Sequence, residues 1–181
     1  MVSRQEIEEA IKNKDDFIKI SYLNRFLKQA DNMDIKKYVL LNLAAINEKK
    51  GLLSDAIKNV TTAADISLTY REKRELYIKE IELWIKYGDF IMAEKALHKT
   101  YGYCSEKEKN EVENQYHELF RVRGNILESQ GKLRNAVDIY EKLLGITKSV
   151  PKKMELKEKL LNLYDKTGRI REHSRLKDRQ F

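Results

Sequence analysis

Four glycines divide this sequence into segments of similar length, and this regularity restricts the fold more than any other feature. Gly51, Gly88, Gly131 and Gly168 are spaced by 37, 43 and 37 residues. The segments before and after each glycine have apolar residues at three- to four-residue steps, which is the pattern of an amphipathic helix. A glycine directly after such a stretch commonly ends the helix. The spacing therefore predicts helical hairpins that stack on one another as repeats.

Aligning the segments on these glycines brings similar residues to the same offsets. Five residues after the glycine, three segments have Ala56, Ala93 and Ala136, whereas the last has His173. The pattern is best preserved in Gly124–Leu144. Three further offsets complete the comparison: two after the glycine are Leu53, Phe90, Leu133 and Ile170; four before it are Asn47, Trp84, Leu127 and Tyr164; seven before it are Ala44, Ile81, Gly124 and Leu161.

This pattern resembles the tetratricopeptide repeat (TPR) family, whose signature combines a small residue in the first helix, a turn glycine, an aromatic residue two positions later and an alanine five positions after the glycine. The match is best in Leu119–Leu144, good in Leu40–Ala64 and looser around Trp84–Leu97. The resemblance implies an all-α fold, an α-solenoid of about four to five antiparallel helical hairpins in a TPR-like superhelix. The glycine intervals exceed the family's usual length of about 34 residues. Related long-helix solenoids, such as the SNAP-type adaptor fold, therefore stay an alternative.

We expect a single TPR-like domain over residues 1–181. A chain of 181 residues with one proline and seven glycines has few helix breakers. Capping boxes, in which a Ser or Thr is followed three residues later by Glu, predict helix starts at Ser3, Thr69 and Ser105. The helix after Ser105 is expected to run to about Gln130 and to contain Gly124. The expected parts are a degenerate N-terminal hairpin at 3–30, repeats at 34–67, 70–101 and 105–147, and a degenerate C-terminal hairpin with a basic end at 151–181.

The resemblance also implies a function, because TPR proteins typically bind peptides or protein segments in a concave groove lined by the first helix of each repeat. Mapping the first-helix positions onto this chain gives eight acidic and four basic side chains. We therefore expect a non-enzymatic scaffold or adaptor with a mildly acidic groove, suited to a helix or extended segment that bears Lys or Arg. The expected groove residues are Tyr38, Leu41, Glu75, Ile78, Glu82, Glu118, Arg121, Asn125, Glu128 and Asn162.

One activity of the family is not expected here. Members that bind the C-terminal tails of chaperones hold the terminal carboxylate with Lys, Asn and Arg side chains at five positions. Of the corresponding residues in this sequence, only Lys79 is positively charged. The partner is therefore predicted not to be a chaperone C-terminal carboxylate. The other four positions hold Leu41, Ala45, Glu118 and Val122.

The net charge of +7 suggests two alternative functions. Residues 146–181 contain eleven Lys or Arg and five Asp or Glu. These basic residues could contact nucleic acid, or they could form a solvated helix face. The other alternative is a homo-oligomer that associates through Leu160, Tyr164, Ile170 and Leu176. The basic residues considered are Lys152, Lys153, Arg169, Arg171, Arg175, Lys177 and Arg179.

Catalysis, cofactors and metals are not expected. His98, His117 and His173 lie far apart in the sequence and lack the spacing of metal ligands, and Cys104 is the single cysteine. No phosphate-binding glycine-rich loop is present. The absence of a secretory pattern at the start and the lone cysteine predict a cytoplasmic protein. No segment approaches 18 uncharged apolar residues, so no membrane span is expected.

Overall fold

In the computed structural model, residues 2–181 are described, and they form ten α-helices and no strand. The predicted all-α class is confirmed, and the packing of neighbouring helices is consistent with a helical solenoid. The helix count fits the expected four to five hairpins only loosely. The helices are α1 (Arg4–Ile11), α2 (Asp16–Gln29), α3 (Met33–Lys49), α4 (Leu53–Ile66), α5 (Tyr70–Tyr87), α6 (Phe90–Tyr101), α7 (Glu106–Ser129), α8 (Leu133–Ile146), α9 (Val150–Thr167) and α10 (Ile170–Lys177).

The chain divides into two units, of which the first ends at Asn110 and the second is Glu111–Phe181. Within the first unit, each helix from α1 to α5 packs against the next one along the chain. Within the second unit, α8 packs on α9 and α9 on α10, and Tyr140 of α8 packs against Gly124 of α7. The predicted single domain and its repeat boundaries remain predictions.

The four turn glycines adopt the left-handed conformation that ends a helix. Gly51, Gly88, Gly131 and Gly168 have φ angles of 77°, 95°, 70° and 71°. A Cβ atom added at any of them would meet nothing within 4 Å. Glycine is therefore required for the backbone conformation and not for lack of space.

Local capping interactions begin the helices where the sequence predicts them. The hydroxyl of Ser3 accepts a hydrogen bond from the amide of Glu6 at 3.2 Å, and that of Thr69 accepts one from Glu72 at 3.2 Å. Pro151 lies in the first turn of α9, where its missing amide proton costs no hydrogen bond. These starts are fixed by interactions within four residues.

Trp84 and Leu83 connect α5 to the core of the first unit. Leu83 is fully buried in a cluster with Ala44, Ile57 and Val60, and Trp84 packs against this cluster. The indole Nε1 of Trp84 donates a hydrogen bond to the Glu80 carboxylate, which is one helical turn away, at 3.2 Å. The cluster joins α3, α4 and α5 within the first unit.

Polar pairs join helices that are two apart in chain order, and the two residues of a pair are between 30 and 38 positions apart in the sequence. These pairs place alternate helices side by side within each unit. Four of them have separations of 34 or 35 residues: Lys37–Glu72 at 35, and Asp65–Lys99, Arg74–Glu108 and Asn125–Lys159 at 34.

The start of α7 combines a capping box with an ion pair. The amide of Ser105 donates to the Glu108 carboxylate at 2.8 Å, and the Glu108 amide donates to the Ser105 hydroxyl at 3.4 Å. Arg74 of α5 also pairs with this carboxylate. The hydrogen bonds from Ser105, followed by that from Arg74, lower the pKa of Glu108 to about 2.

Glu108→Gln is expected to lower the stability of the fold near neutral pH, and the difference in stability should become smaller as the pH falls. Because the pKa of Glu108 is lower in the folded state, the unfolded state binds more protons as the pH falls. The stabilisation is therefore present above the unfolded pKa of about 4.5 and is lost progressively toward pH 2. Urea midpoints of both proteins between pH 7 and pH 3 measure the difference. Glu111→Gln, at an exposed position of α7, is the control, and a difference that does not change with pH would contradict the prediction.

Candidate functional site

A cavity of about 850 Å³ lies in the second unit, between α7, α8 and α9. Its apolar lining comes from Tyr140, Leu143 and Leu156, and its remaining lining is polar or charged. We call this cavity the α7–α9 groove. The polar and charged lining residues are Asn114, Gln115, His117, Glu118, Arg121, Asn125, Thr147, Lys152, Glu155 and Lys159.

Three of the ten predicted groove residues line the α7–α9 groove. They are Glu118, Arg121 and Asn125, which follow one another on α7 at three- and four-residue steps. A fourth, Glu128, lies one turn further along and forms an ion pair of 2.8 Å with Lys159 of the groove. Asn162 is exposed on α9 and does not line the groove. These three residues therefore form part of the α7 wall of this cavity, and their role in binding a partner stays a prediction.

Gly124 allows Tyr140 to pack directly across α7. The side chain of Tyr140 is fully buried. A Cβ atom at Gly124 would lie 2.6 Å from its Cε1 atom and 2.8 Å from its hydroxyl oxygen. Both distances are far below a van der Waals contact, so any larger residue at Gly124 would displace the ring. The sequence suggests a close approach at Gly124 but does not identify Tyr140 as the partner.

The Tyr140 hydroxyl is the centre of a polar cluster beside the groove. It lies 2.7 Å from Asn125 Oδ1 and 2.6 Å from Glu128 Oε1. Lys159 Nζ donates to Asn125 Oδ1 at 2.9 Å and lies 4.4 Å from the centroid of the Tyr140 ring. Burial, followed by the Glu128 carboxylate, raises the pKa of Tyr140. These contacts hold α7, α8 and α9 in one arrangement, which keeps the groove open in a defined shape.

The charges in the groove nearly balance. Its lining contains three basic side chains, those of Arg121, Lys152 and Lys159, and two acidic ones. Arg121 Nε donates to Glu118 at 2.7 Å. Burial lowers the pKa of His117 despite the nearby Glu113, so the imidazole is neutral at pH 7 and can both donate and accept a hydrogen bond.

The first-unit residues of the predicted groove are held in local polar contacts. The Tyr38 hydroxyl donates to Glu8 at 2.9 Å, and Glu75 pairs with Arg71 at 3.0 Å. Burial alone would raise the pKa of Glu82, but hydrogen bonds from Lys86 and Lys79 lower it. Leu41 and Ile78 are half-buried. These residues do not belong to the α7–α9 groove.

Some basic residues of the C-terminal segment make contacts within the second unit, and several are exposed. Arg169 pairs with Asp138 at 3.2 Å and with Glu141 at 3.5 Å, so it helps to hold the second unit together. The charged ends of Lys153 and Arg179 lie 5.4 and 4.8 Å from the centroid of the Phe181 ring. Lys157 donates to the backbone carbonyls of Lys177 and Arg179 at 2.8 and 2.7 Å. The side chains that remain exposed are those of Lys152, Arg171, Arg175, Lys177 and Arg179.

The apolar surface expected for self-association is mostly internal. Leu160, Tyr164 and Leu176 are buried at 0%, 5% and 7% exposure, because they pack inside the second unit. Ile170 alone of the four expected residues is open, at 77% exposure. The expectation that these four residues are partly open to a second copy is therefore wrong for three of them.

The residues with potential chemistry are distributed as follows. The Cys104 thiol is half-buried, donates to the Thr100 carbonyl at 3.3 Å, and has its pKa raised by burial. Among residues 2–181, no group of three His, Cys, Asp or Glu side chains is arranged to hold a metal ion. No helix in this part of the chain is long and apolar enough to cross a membrane. The absence of catalysis and of a cofactor stays a prediction.

The similarity of this chain to known proteins is distant. No protein-family model matches the chain, and no curated protein matches it. Among solved structures, the chain is similar to the crystal structure of BtubC (BKLC) from P. vanneervenii, with 14% sequence identity and a TM-score of 0.45. The similarity covers 94% of this chain and 74% of that chain.

Proposed function

We propose that this protein is a non-enzymatic, TPR-like interaction scaffold that binds a segment of a partner protein in the α7–α9 groove. The cavity of about 850 Å³ between three helices carries this proposal. Its size suits a short stretch of peptide, and grooves between helices are common recognition sites. A cytoplasmic location belongs to the same proposal.

The contacts between equivalent helices support the TPR-like part of the proposal. Polar pairs between alternate helices join residues 30 to 38 positions apart, and three of them, Asp65–Lys99, Arg74–Glu108 and Asn125–Lys159, join residues 34 positions apart. This range includes the repeat length of about 34 residues that TPR proteins have.

The lining of the groove suggests the chemistry of the bound segment. Leu143 and Leu156 offer an apolar surface, while the Glu118–Arg121 pair and the exposed Lys152 and Glu155 lie around it. The acidic excess of the whole mapped surface is absent from this lining. The segment proposed here therefore carries an apolar side chain flanked by charges of both signs, and not an excess of Lys or Arg.

A photo-crosslinking amino acid at Gln115, which is exposed and lines the groove, tests the proposal. We expect covalent capture of a partner protein from a nuclease-treated lysate. The same amino acid at Asn135, exposed on α8 outside the groove, should capture nothing. In the protein that carries the crosslinking amino acid at position 115, the additional substitution Arg121→Glu should reduce capture at least tenfold. It should not change the helix content measured by circular dichroism.

Two outcomes would contradict the proposal. Equal capture at Gln115 and Asn135 would mean that the groove is not the binding surface. Partners that are lost on nuclease treatment, with affinity that falls steeply as salt rises, would favour nucleic-acid binding by exposed basic residues such as Arg171 and Arg175.

A further inference from the structure

One end of the α7–α9 groove is marked by an ion pair between two of the segments that form it. Lys148, which precedes α9, pairs with Glu113 of α7 at 2.7 Å. His117 lies one turn after Glu113 on α7 and interacts electrostatically with this pair and with Lys152 of α9. Both His117 and Lys152 line the groove. We call this part of the groove the His117 end.

The Lys152 ammonium group at the His117 end lacks an acidic partner. Within residues 2–181, Lys152 forms no ion pair. The acidic side chains of α7 on either side of His117 are Glu113 and Glu118, and each is already paired with a basic residue of the chain. Hydrogen bonds from those basic residues lower the pKa of both carboxyl groups, so neither gains a proton between pH 8 and pH 5. The His117 end therefore presents an ammonium group that no carboxylate of the chain neutralises.

His117 is the group at this end whose charge changes near neutral pH. Its imidazole is half-buried. Burial lowers its pKa most, Glu113 raises it, and Lys152 and Lys148 lower it. Glu155 of α9 lines the groove one turn beyond Lys152, and the described residues of α8 that line it are uncharged. The imidazole of the free chain is therefore neutral at pH 7, and it gains a proton when the pH falls or when a negative charge comes close.

We propose that the His117 end binds the side-chain carboxylate of an Asp or Glu in the partner segment, and binds it more tightly as His117 gains a proton. The carboxylate pairs with Lys152 and accepts a hydrogen bond from the imidazole. Leu143 and Leu156 of the same groove accept an apolar neighbour of this acidic residue. This inference rests on the proposed function, and it assigns the negative charge of the segment to one end of the groove.

Protonation of His117 and binding of the carboxylate reinforce each other. A bound carboxylate stabilises the imidazolium, so it raises the pKa of His117. The same coupling makes the protonated chain bind the carboxylate more tightly. Binding should therefore strengthen as the pH falls from 7.5 to 5.5 and level off below the pKa of His117 in the free chain. An Asp side chain remains largely ionised over this range.

Two blocked peptides that differ by one charge test the proposal on the full ¹⁵N-labelled chain. N-acetyl-Asp-Leu-amide carries the carboxylate and an apolar neighbour, whereas N-acetyl-Asn-Leu-amide lacks the charge. NMR shifts of the backbone amides of residues 114–121 and 152–156 measure both dissociation constants. At pH 5.5 the acidic peptide should bind about threefold or more tightly than the neutral one. Its affinity should fall about threefold or more between pH 5.5 and 7.5, and that of the neutral peptide should not change.

Three variants separate the two positive charges of the site. Lys152→Gln should remove most of the preference for the acidic peptide. Lys132→Gln makes the same change of charge at an exposed position outside the groove, so it should have no effect. His117→Gln should remove the pH dependence. Because Lys152 is exposed, its variant remains informative if His117→Gln fails to fold.

Equal affinity for the two peptides at pH 5.5, or an unchanged pH dependence in His117→Gln, would overturn the proposal. If both peptides still shift the groove amides in that case, the groove binds apolar segments without an acidic site, and the proposed function stands. If neither peptide binds, the proposal also fails. Crosslinking from position 115 then decides separately whether the groove binds a partner protein.

Discussion

Gly124→Ala is expected to lower the free energy of unfolding, although alanine is the better helix former. The added methyl group would lie 2.6 Å from Cε1 of Tyr140, whose ring is fully buried and bonded through its hydroxyl to Asn125 and Glu128. Overpacking of this kind costs about 1–3 kcal/mol. The gain in helix propensity is about 1 kcal/mol, so a net loss of up to about 2 kcal/mol is expected. Urea denaturation followed by circular dichroism measures it.

The effect of Gly124→Ala on stability should change sign when Tyr140 is replaced by a smaller side chain. In a Tyr140→Leu background the ring atoms that meet the new methyl group are gone. Gly124→Ala should then stabilise the protein by up to about 1 kcal/mol. A double-mutant cycle therefore isolates the contact between the two residues. Equal effects of Gly124→Ala in both backgrounds would show that Tyr140 is not the reason for glycine at this position.

Leu83→Ala is expected to destabilise the first unit by about 2–5 kcal/mol, the cost of removing a leucine side chain from a packed core. Leu83 is 0% exposed and lies in the cluster with Ala44, Ile57 and Val60. Leu68 offers a matched control, because it is 82% exposed on the same unit. Leu68→Ala should change the stability by less than about 0.5 kcal/mol.

Hydrogen exchange measures where the stability of the Leu83→Ala protein is lost. The amide protons of α3, α4 and α5 should exchange faster, since the cluster joins these three helices. A loss of protection that spares these helices, or equal effects of the two leucine substitutions, would contradict the packing described for Leu83.

The helices and their ends could be predicted because they depend on interactions within a few residues. Ser3, Thr69 and Ser105 accept hydrogen bonds from the amides of the Glu residues three positions later, as expected at these helix starts, and Gly51 and Gly131 follow helices as expected, with positive φ. Each signal is complete within a stretch of four residues. The sequence alone therefore predicts the helix boundaries closely.

The long-range contacts could not be predicted, because many side chains could satisfy the same pattern. The chain has 36 basic and 29 acidic side chains, so the pairing of Lys159 with Glu128 cannot be chosen by charge. The same limit applies to the groove. Glu118, Arg121 and Asn125 of the mapped positions lie on its α7 wall, whereas nothing in the repeat pattern indicates that Tyr140 packs on Gly124.

The position of Trp84 gives this chain an optical property. It is the single tryptophan, and its indole packs against the cluster that contains Leu83 and donates a hydrogen bond to the Glu80 carboxylate inside the first unit. Intrinsic fluorescence excited at the indole band therefore reports on the first unit, whereas far-ultraviolet circular dichroism reports on helices of both units. Unfolding curves recorded with the two signals would coincide for a single cooperative transition and separate if the units melt one after the other.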